Sequence, residues 1–216
     1  MMRRLFPSGN EQAEPPVFPD GTAAVLAGGK SSRLGRPKAL VTVRDGTLLE
    51  RAVALAQVLS GRVLLVLAHK DQISAPPQGT EVLADRIPDC GPLGGIYTAL
   101  TACKTPWLAV LPCDMPFLSP AVYRFLFQNI SPGRVAVARS HRGVEPLVSI
   151  WPKEAEGWVE EELRSGKKAL WRLLRKSRAV SVDLPAGLSG YRKEWFFNLN
   201  TPADLHALHR LLPPGR

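Results

Sequence analysis

Cysteine is scarce and unpatterned. Cys90, Cys103 and Cys113 are odd in number and show no CxxC spacing, which fits neither a disulfide framework nor a zinc knuckle. Buried thiols are the expectation. Histidine offers no metal site either, because His206 and His209 stand near the C-terminus without a third ligand and read as a solvated helix face. Apolar runs fall well short of the roughly 18 to 20 residues needed to cross a bilayer. Pro7, Pro15, Pro16 and Pro19 crowd the stretch where a secretory signal would carry its apolar core. The expectation is a cytoplasmic protein without a membrane partner. Aromatic residues make up only 7% of the chain and do not interleave with basic residues in any RNA- or DNA-binding motif, which argues against a nucleic-acid partner.

What is present is an ordinary globular balance, 45% hydrophobic and 22% charged residues over 216 positions. That length suits one domain, and the composition lies far from the polar, highly charged corner where chains stay unfolded. Lys plus Arg at 28 against Asp plus Glu at 19 gives a net charge of +9, so partners of negative charge are favoured, nucleotides and phosphorylated molecules among them.

Residues 1 to 21 are polar, proline-rich and aperiodic, and read as a flexible leader to a single domain over 22 to 216. From Thr22 the runs alternate in kind. Ala23 to Ala27, Val63 to Ala68, Thr80 to Ala84 and Trp107 to Leu111 are short, continuous and often β-branched, as parallel strands buried on both faces tend to be. Between them Leu48, Ala52, Val53, Ala56 and Leu59 recur at helical spacing, and Ser119-Pro120 is an N-cap and first-turn pair opening a helix to about Asn129. This is the pattern of a doubly wound α/β sheet. Further strands are expected at Val135 to Ala138, Leu147 to Trp151 and Ala179 to Leu184, with helices near 153 to 164 and 168 to 177 and a mixed topology. Thr201-Pro202-Ala203-Asp204 opens a last helix to about 212. The cations from Arg164 to Arg178 interleave with leucines and read as the wet face of a surface helix.

The segment Val25 to Leu40, VLAGGKSSRLGRPKAL, is the most informative. A strand runs into Gly28 and Gly29, then a polar turn with Arg33 and Gly35, then Lys38. Glycines let backbone amides approach phosphate oxygens without a Cβ in the way, so the amides of Leu26, Ala27, Gly28 and Gly29 could cradle a nucleotide. Arg33 and Lys38 would add charge-assisted contacts to a triphosphate. A glycine turn with surface cations is the bland alternative. The loop is no Walker A motif, since Ala24 stands where its first glycine is required, and no dinucleotide fingerprint, since Gly28 and Gly29 are adjacent.

Asp114 follows the apolar run Trp107 to Pro112 and Asp85 follows Glu81 to Ala84, so both fall at strand C-terminal ends, where open α/β sheets bind ligands. One carboxylate beside a triphosphate suits Mg²⁺, which keeps several waters and takes few protein ligands. A turn-capping Asp114 and a solvated loop Asp85 are the structural alternatives. An edge carboxylate at Asp85 could accept from N1 and N2 of guanine. Asn198 and Asn200 alternate along an extended segment, so only one should face the ligand, and Asn200 is expected on the acceptor side.

These residues carry a resemblance. Leu26-Ala27-Gly28-Gly29 with Arg33, Gly35 and Lys38 resembles the loop signature of nucleotidyltransferases that activate a phosphorylated acceptor with a nucleoside triphosphate. Gly91-Pro92-Leu93-Gly94-Gly95-Ile96, Pro112-Cys113-Asp114-Met115-Pro116, Glu145-Pro146-Leu147 and Asn198 to Asp204 resemble, in order, further segments of the molybdenum cofactor guanylyltransferase family, and together cover residues 22 to about 210. The resemblance implies a Rossmann-like three-layer αβα fold with a mostly parallel sheet. It also implies GTP and molybdopterin as substrates, Mg²⁺ on the aspartate matching Asp114, nucleotide contacts from Asp85 and the turn at Gly91 to Gly95, and molybdoenzymes or their chaperones as recipients of the product. In such a reaction Arg33, Lys38 and Asp114 would be the catalytic residues.

Two departures stand out. Relatives often carry an asparagine at the end of the strand that here reads Leu67-Ala68-His69, and some have an acid where Pro37 precedes the lysine. A cytidylyltransferase or sugar-phosphate nucleotidyltransferase on the same fold is therefore the nearest rival, although Gly28 and the Gly91 to Ile96 segment speak against it. A nucleic-acid-binding module has only the net charge behind it. A catalytically silent nucleotide carrier would not need Arg33, Lys38 and Asp114 together.

Overall fold

A computed structural model describes residues 15–28, 37–44, 46–166 and 168–211. Gly29, Arg33 and Gly35 of the glycine-rich loop lie outside the described residues. The four short apolar runs become strands β1 (Gly21–Leu26), β4 (Val63–Leu67), β5 (Thr80–Ala84) and β6 (Trp107–Pro112), while β2 (Thr42–Val43) and β3 (Gly46–Thr47), which the apolar pattern did not announce, pair as a separate two-stranded sheet. Helices α1 (Leu48–Leu59), α2 (Pro92–Ala102) and α3 (Pro120–Gln128) stand between or after them. The second part gives β7 (Ala136–Ser140), β8 (Gly143–Pro152), α4 (Ala155–Arg164), α5 (Leu170–Lys176), β9 (Val180–Asp183), the single turn α6 (Leu184–Gly187) and α7 (Pro202–Leu211).

Among the described residues seven strands form one sheet in the order β5-β4-β1-β6-β8-β7-β9. β5, β4, β1 and β6 run parallel, β8 is antiparallel to both neighbours, and β9 is parallel to β7. The sheet is mostly parallel, as expected, and mixed in its second half. Side chains alternate between faces with the strand period of two. Ala23, Val25, Leu65, Leu67, Ala109 and Leu111 join the core under α1, α3 and α7. Ala24, Leu64, Val66, Leu108 and Val110 join the core under α2, α4 and α5. Helices therefore cover both faces, and the three-layer reading holds.

Local signals account for the element ends. Thr47 and Glu50 close a reciprocal capping box on α1, with Glu50 N to Thr47 Oγ1 at 3.1 Å and Thr47 N to Glu50 Oε2 at 2.6 Å. Ser119 caps α3 ahead of Pro120. β8 carries Pro146, which has no N–H to give a ladder, and the pairing with β7 slips there, Val137 facing Ser149 while Ala138 faces Glu145.

Three readings of the sequence need correction. The leader does not extend to residue 21: Phe18 is 2% exposed, Val17 N and Phe18 N bond Val58 O and Leu59 O, and the Phe18 ring meets Phe127 edge-on. Burying such a ring contributes about 1.5–3 kcal/mol, enough to fix a short polar-flanked segment on the domain. Gly91 to Gly95 is not a turn but the start of α2, with Gly91 at the N-cap and Pro92 in the first helical turn. β5 is not buried on both faces, because it forms the sheet's edge. The cationic segment is also less free than its composition suggests. Arg172 forms a two-pronged pair with buried Glu162 at 2.7 Å, Lys176 meets Glu161 and Arg164 meets Glu160, so α4 neutralises much of it.

Candidate active site

β1 and β6 end side by side, Leu26 opposite Pro112, so the chain leaving each strand emerges at the same carboxyl edge. Asp114 stands two residues beyond β6. Its Oδ2 accepts from Lys38 Nζ at 2.7 Å, and the same ammonium donates to Asn200 Oδ1 at 2.6 Å. The side chains of Lys38 and Asp114 are 20% and 24% exposed, so the pair is screened less than a surface salt bridge. Asp114 Oδ1 is buried and accepts no hydrogen bond among the described residues. The turn-capping alternative for Asp114 is not what the structure shows, since among the described residues its carboxylate accepts from Lys38 and from no backbone N–H.

Asn200 reaches this point by two restraints. Leu199 N donates to Asp114 O at 3.0 Å, which lays the incoming segment along the β6 exit. Asp204, in the first turn of α7, accepts from Asn200 N at 2.9 Å and Thr201 N at 2.7 Å, while Asp204 N bonds Thr201 Oγ1 at 3.2 Å. Burial works to raise the Asp204 pKa, but the hydrogen bonds from Asn200 and Thr201, with Lys38 nearby, hold it below its usual range. Asn198 does not join the cluster; its Oδ1 is buried without a hydrogen-bond partner.

On the other side of β1, Gly28 lies against the exit of β4, where an added Cβ would come within 2.9 Å of Ala68 N. Asp85 follows β5. Its Oδ1 accepts from Ile87 N and Thr98 Oγ1, both at 3.2 Å, which leaves Oδ2 as the oxygen not engaged by these two donors. Burial pushes the Asp85 carboxyl above its usual range, with the Ile87 and Thr98 hydrogen bonds pulling the other way. Gly91 sits at the α2 N-cap with φ 58°, a conformation that favours glycine. Gly94 and Gly95 serve packing: a Cβ on Gly94 would meet Asp85 Oδ2 at 2.9 Å, and one on Gly95 would meet Leu26 Cδ2 at 3.3 Å.

The structure thus unites Lys38, Asp114 and Asn200, places Leu26, Ala27 and Gly28 at the same edge, and sets Asp85 and Gly91 on the β5–α2 side. Thr98 and Asp204, which orient Asp85 and Asn200, escaped the sequence reading. Asp204 was legible only as a helix-capping acid, and a threonine inside a helix gives no local signal. Among the described residues no group of three or more His, Cys, Asp and Glu side chains could enclose a metal. Cys113 offers a soft thiol donor, ill suited to a hard cation, and burial, with Asp114 beside it and against the pull of Lys38, pushes that thiol up to about 12. A lone carboxylate with a buried unbonded oxygen fits a hard, well-hydrated cation that takes its other ligands from phosphate and water.

A carboxylate and a lysine gathered at the carboxyl edge of a doubly wound sheet form the frame of an α/β nucleotidyltransferase, and comparison with known proteins bears out that class. Residues 23–181 match the MobA-like NTP transferase domain, and the chain belongs to that family. A probable molybdenum cofactor guanylyltransferase of Carboxydothermus hydrogenoformans is 33% identical over 193 residues, 88% of this chain and 95% of that protein. A molybdenum cofactor guanylyltransferase of Syntrophotalea carbinolica is 30% identical over 197 residues, 89% and 92% of the two chains. Among solved structures, molybdopterin-guanine dinucleotide biosynthesis protein A of Archaeoglobus fulgidus superposes with a TM-score of 0.73 at 23% identity, over 88% of this chain and 97% of that one. The 2-C-methyl-D-erythritol 4-phosphate cytidylyltransferase of Thermus thermophilus gives 0.64 at 17%, over 87% and 96%. A Mycobacterium tuberculosis protein solved with manganese gives 0.63 at 21%, over 89% and 100%. These likenesses show the fold, and the curated relatives show an enzyme of the nucleotidyltransferase type acting in molybdenum cofactor biosynthesis.

Proposed function

We propose that the chain transfers GMP from GTP to molybdopterin and releases pyrophosphate, with Mg²⁺ as its cation and the cytoplasm as its compartment. The observation that carries this reading is the Lys38 ammonium shared between Asp114 and Asn200 at the sheet edge. The terminal phosphate oxygen of molybdopterin forms the new bond to the α-phosphorus of GTP, and the bond from that phosphorus to the bridging oxygen breaks on the opposite side. No protein nucleophile takes part, so catalysis rests on positioning and neutralisation of charge. Lys38, with Arg33 as its partner on the loop, stabilises charge developing on the triphosphate. The segment Leu26 to Gly29 binds the nucleotide through the amides of Gly28 and Gly29, since the Ala27 N–H is taken up by Val66 O, and the α2 N-terminus at Gly91 joins them. Asp85 accepts from guanine through Oδ2, since its other oxygen is engaged by Ile87 and Thr98. Asn200 holds the acceptor side. Asp114 Oδ1 is the oxygen that would hold Mg²⁺, which when bound supplies Lewis-acid neutralisation of the phosphates. Molybdoenzymes or their chaperones would receive the product.

A nucleotide panel tests this. With Mg²⁺ present, GTP should raise the melting temperature more than CTP, UTP or ATP at equal concentration, and only GTP should give pyrophosphate release with molybdopterin. A ligand at 100 times its dissociation constant adds about 2.7 kcal/mol of stability, a readily measured shift. Equal or larger effects with CTP would move the chain to the cytidylyl branch. A larger GTP shift without turnover on molybdopterin would overturn the acceptor.

A further inference from the structure

The parallel ladder between β1 and β4 stops one rung early. In such a ladder a residue bonds the two residues flanking its partner. Ala27 N donates to Val66 O at 2.9 Å as the pattern requires, so the next rung should be Ala68 N to Ala27 O. The Gln72 side chain takes that rung apart. Ala68 N donates to Gln72 Oε1 at 3.0 Å, and Gln72 Nε2 donates to Ala27 O at 2.9 Å. One side-chain amide thus stands between the two backbones and satisfies both, in the only orientation the donor and acceptor permit.

Gln72 is placed for this by a short 3-10 turn, Lys70–Gln72, in which its own N–H bonds His69 O at 3.1 Å. Its position has consequences for both neighbours. Ala27 precedes Gly28, and Gly28 lies over the same Ala68 amide that Gln72 holds, so close that a Cβ would come within 2.9 Å of it. Ala68 follows Leu67, whose carbonyl accepts from Asp85 N at 2.8 Å. The amide therefore fixes how far the start of the glycine-rich loop stands from the β4 exit, and through Leu67 where Asp85 begins.

We propose that Gln72 is a positioning residue for nucleoside triphosphate binding, a wedge that holds the strand exits of β1 and β4 apart so that the Gly28 amide, the first one past the Ala27 ladder bond, meets the nucleotide. The proposal rests on the reading of the glycine-rich loop as the nucleotide cradle, and is independent of which base is bound. A wedge and a tie behave differently when removed. If Gln72 only ties two loops together, Gln72→Ala costs stability and leaves nucleotide affinity alone. If it is a wedge, Ala68 N can close directly on Ala27 O in Gln72→Ala; the fold then keeps its stability while the cradle narrows.

Calorimetric titration of wild type, Gln72→Ala and Gln72→Glu with GTP and with CTP, each with Mg²⁺, reads affinity, and thermal unfolding reads stability. The expected result is a Kd weakened roughly five- to a hundredfold in Gln72→Ala for whichever nucleotide wild type prefers, at a melting temperature close to that of wild type. Gln72→Glu keeps the length and the acceptor for Ala68 N but sets a carboxylate oxygen against Ala27 O; it should weaken binding as well and melt lower than Gln72→Ala. Failure of the alanine variant to fold would show that the amide is a tie and would overturn the wedge. Unchanged Kd in the variants overturns the wedge. A wild-type preference for CTP would overturn the guanylyl reading and leave the wedge standing, whereas no binding of either nucleotide by wild type would overturn both.

Discussion

Lys38 Nζ lies 2.7 Å from Asp114 Oδ2, joining residues 76 positions apart. The contact divides the carboxylate into two unlike oxygens. Oδ2 is held by the ammonium, while Oδ1 is buried with no hydrogen-bond partner among the described residues. A buried polar atom left without a partner costs about 1–3 kcal/mol, and such a cost is commonly tolerated where a site needs it. Lys38 also donates to Asn200 Oδ1, so one cation, set just past the glycine-rich segment, links the β6 exit and the segment leading into α7.

Lys38→Ala should leave the fold intact and lower kcat/KM roughly ten- to more than a hundredfold, the equivalent of losing a charge-assisted contact of about 1.5–3 kcal/mol. Lys38→Arg should not restore the loss, because a planar guanidinium cannot place one compact charge between the two oxygens. Pyrophosphate release checks both variants. Undiminished turnover in the alanine variant would remove Lys38 from the site.

Asp85 gives a prediction in which stability and function move apart. Its folded pKa is raised by burial. A carboxyl whose folded pKa exceeds the unfolded value costs stability once the pH has passed both, and that cost fades as the pH falls below the unfolded value. Asp85→Asn should therefore melt at the same temperature as wild type or higher near neutral pH, with the gap closing towards the ordinary carboxylate range. The same variant should lose its preference for GTP over the other nucleotides. A melting point well below wild type at neutral pH would mean that the carboxylate serves the Ile87 and Thr98 hydrogen bonds first.

The sequence made the sheet legible because its strands are short apolar runs between turn and helix-cap signals. β1, β4, β5 and β6 read directly, and the carboxyl ends of β5 and β6 pointed to Asp85 and Asp114. What could not be read lay in contacts between distant segments. Phe18 sits in a polar, proline-rich stretch, and only Phe127 and the carbonyls of Val58 and Leu59 show that it belongs to the core. Gly94 and Gly95 suggested a turn, since glycine is a poor helix former. Inside α2 they make room instead for Asp85 and Leu26. Thr98 and Gln72 act through partners that no local pattern announces. The meeting of Lys38 with Asn200, 162 positions apart, follows only from the fold.

Cys113 should be inert in the folded protein. Its thiol is pushed up to about 12 by burial, so almost none is thiolate at about pH 8, and the thiolate is the reactive form. Cys90 and Cys103 are buried too. Alkylation of native protein should therefore leave Cys113 unlabelled, while denatured protein labels at all three positions, as mass spectrometry would show. Rapid labelling of native Cys113 would mean that the β6 exit opens readily.

Asp114→Asn separates charge from shape at the centre of the site. Asparagine is nearly isosteric and still offers Lys38 an oxygen, so circular dichroism and melting should stay close to wild type. What the variant loses is the negative charge that a hard cation requires, and an amide is a poor substitute in a site with a single protein ligand. Turnover should fall by orders of magnitude, and the Mg²⁺ concentration for half-maximal activity should rise, while Lys38→Ala should lower turnover with a smaller change in that concentration. If Asp114 merely anchors Lys38, the two variants should share one Mg²⁺ dependence, because either removes the same ion pair. Pyrophosphate release measured against Mg²⁺ for wild type and both variants tells the two roles apart, and superimposable curves would remove the metal from Asp114 and with it the proposed division of its two oxygens.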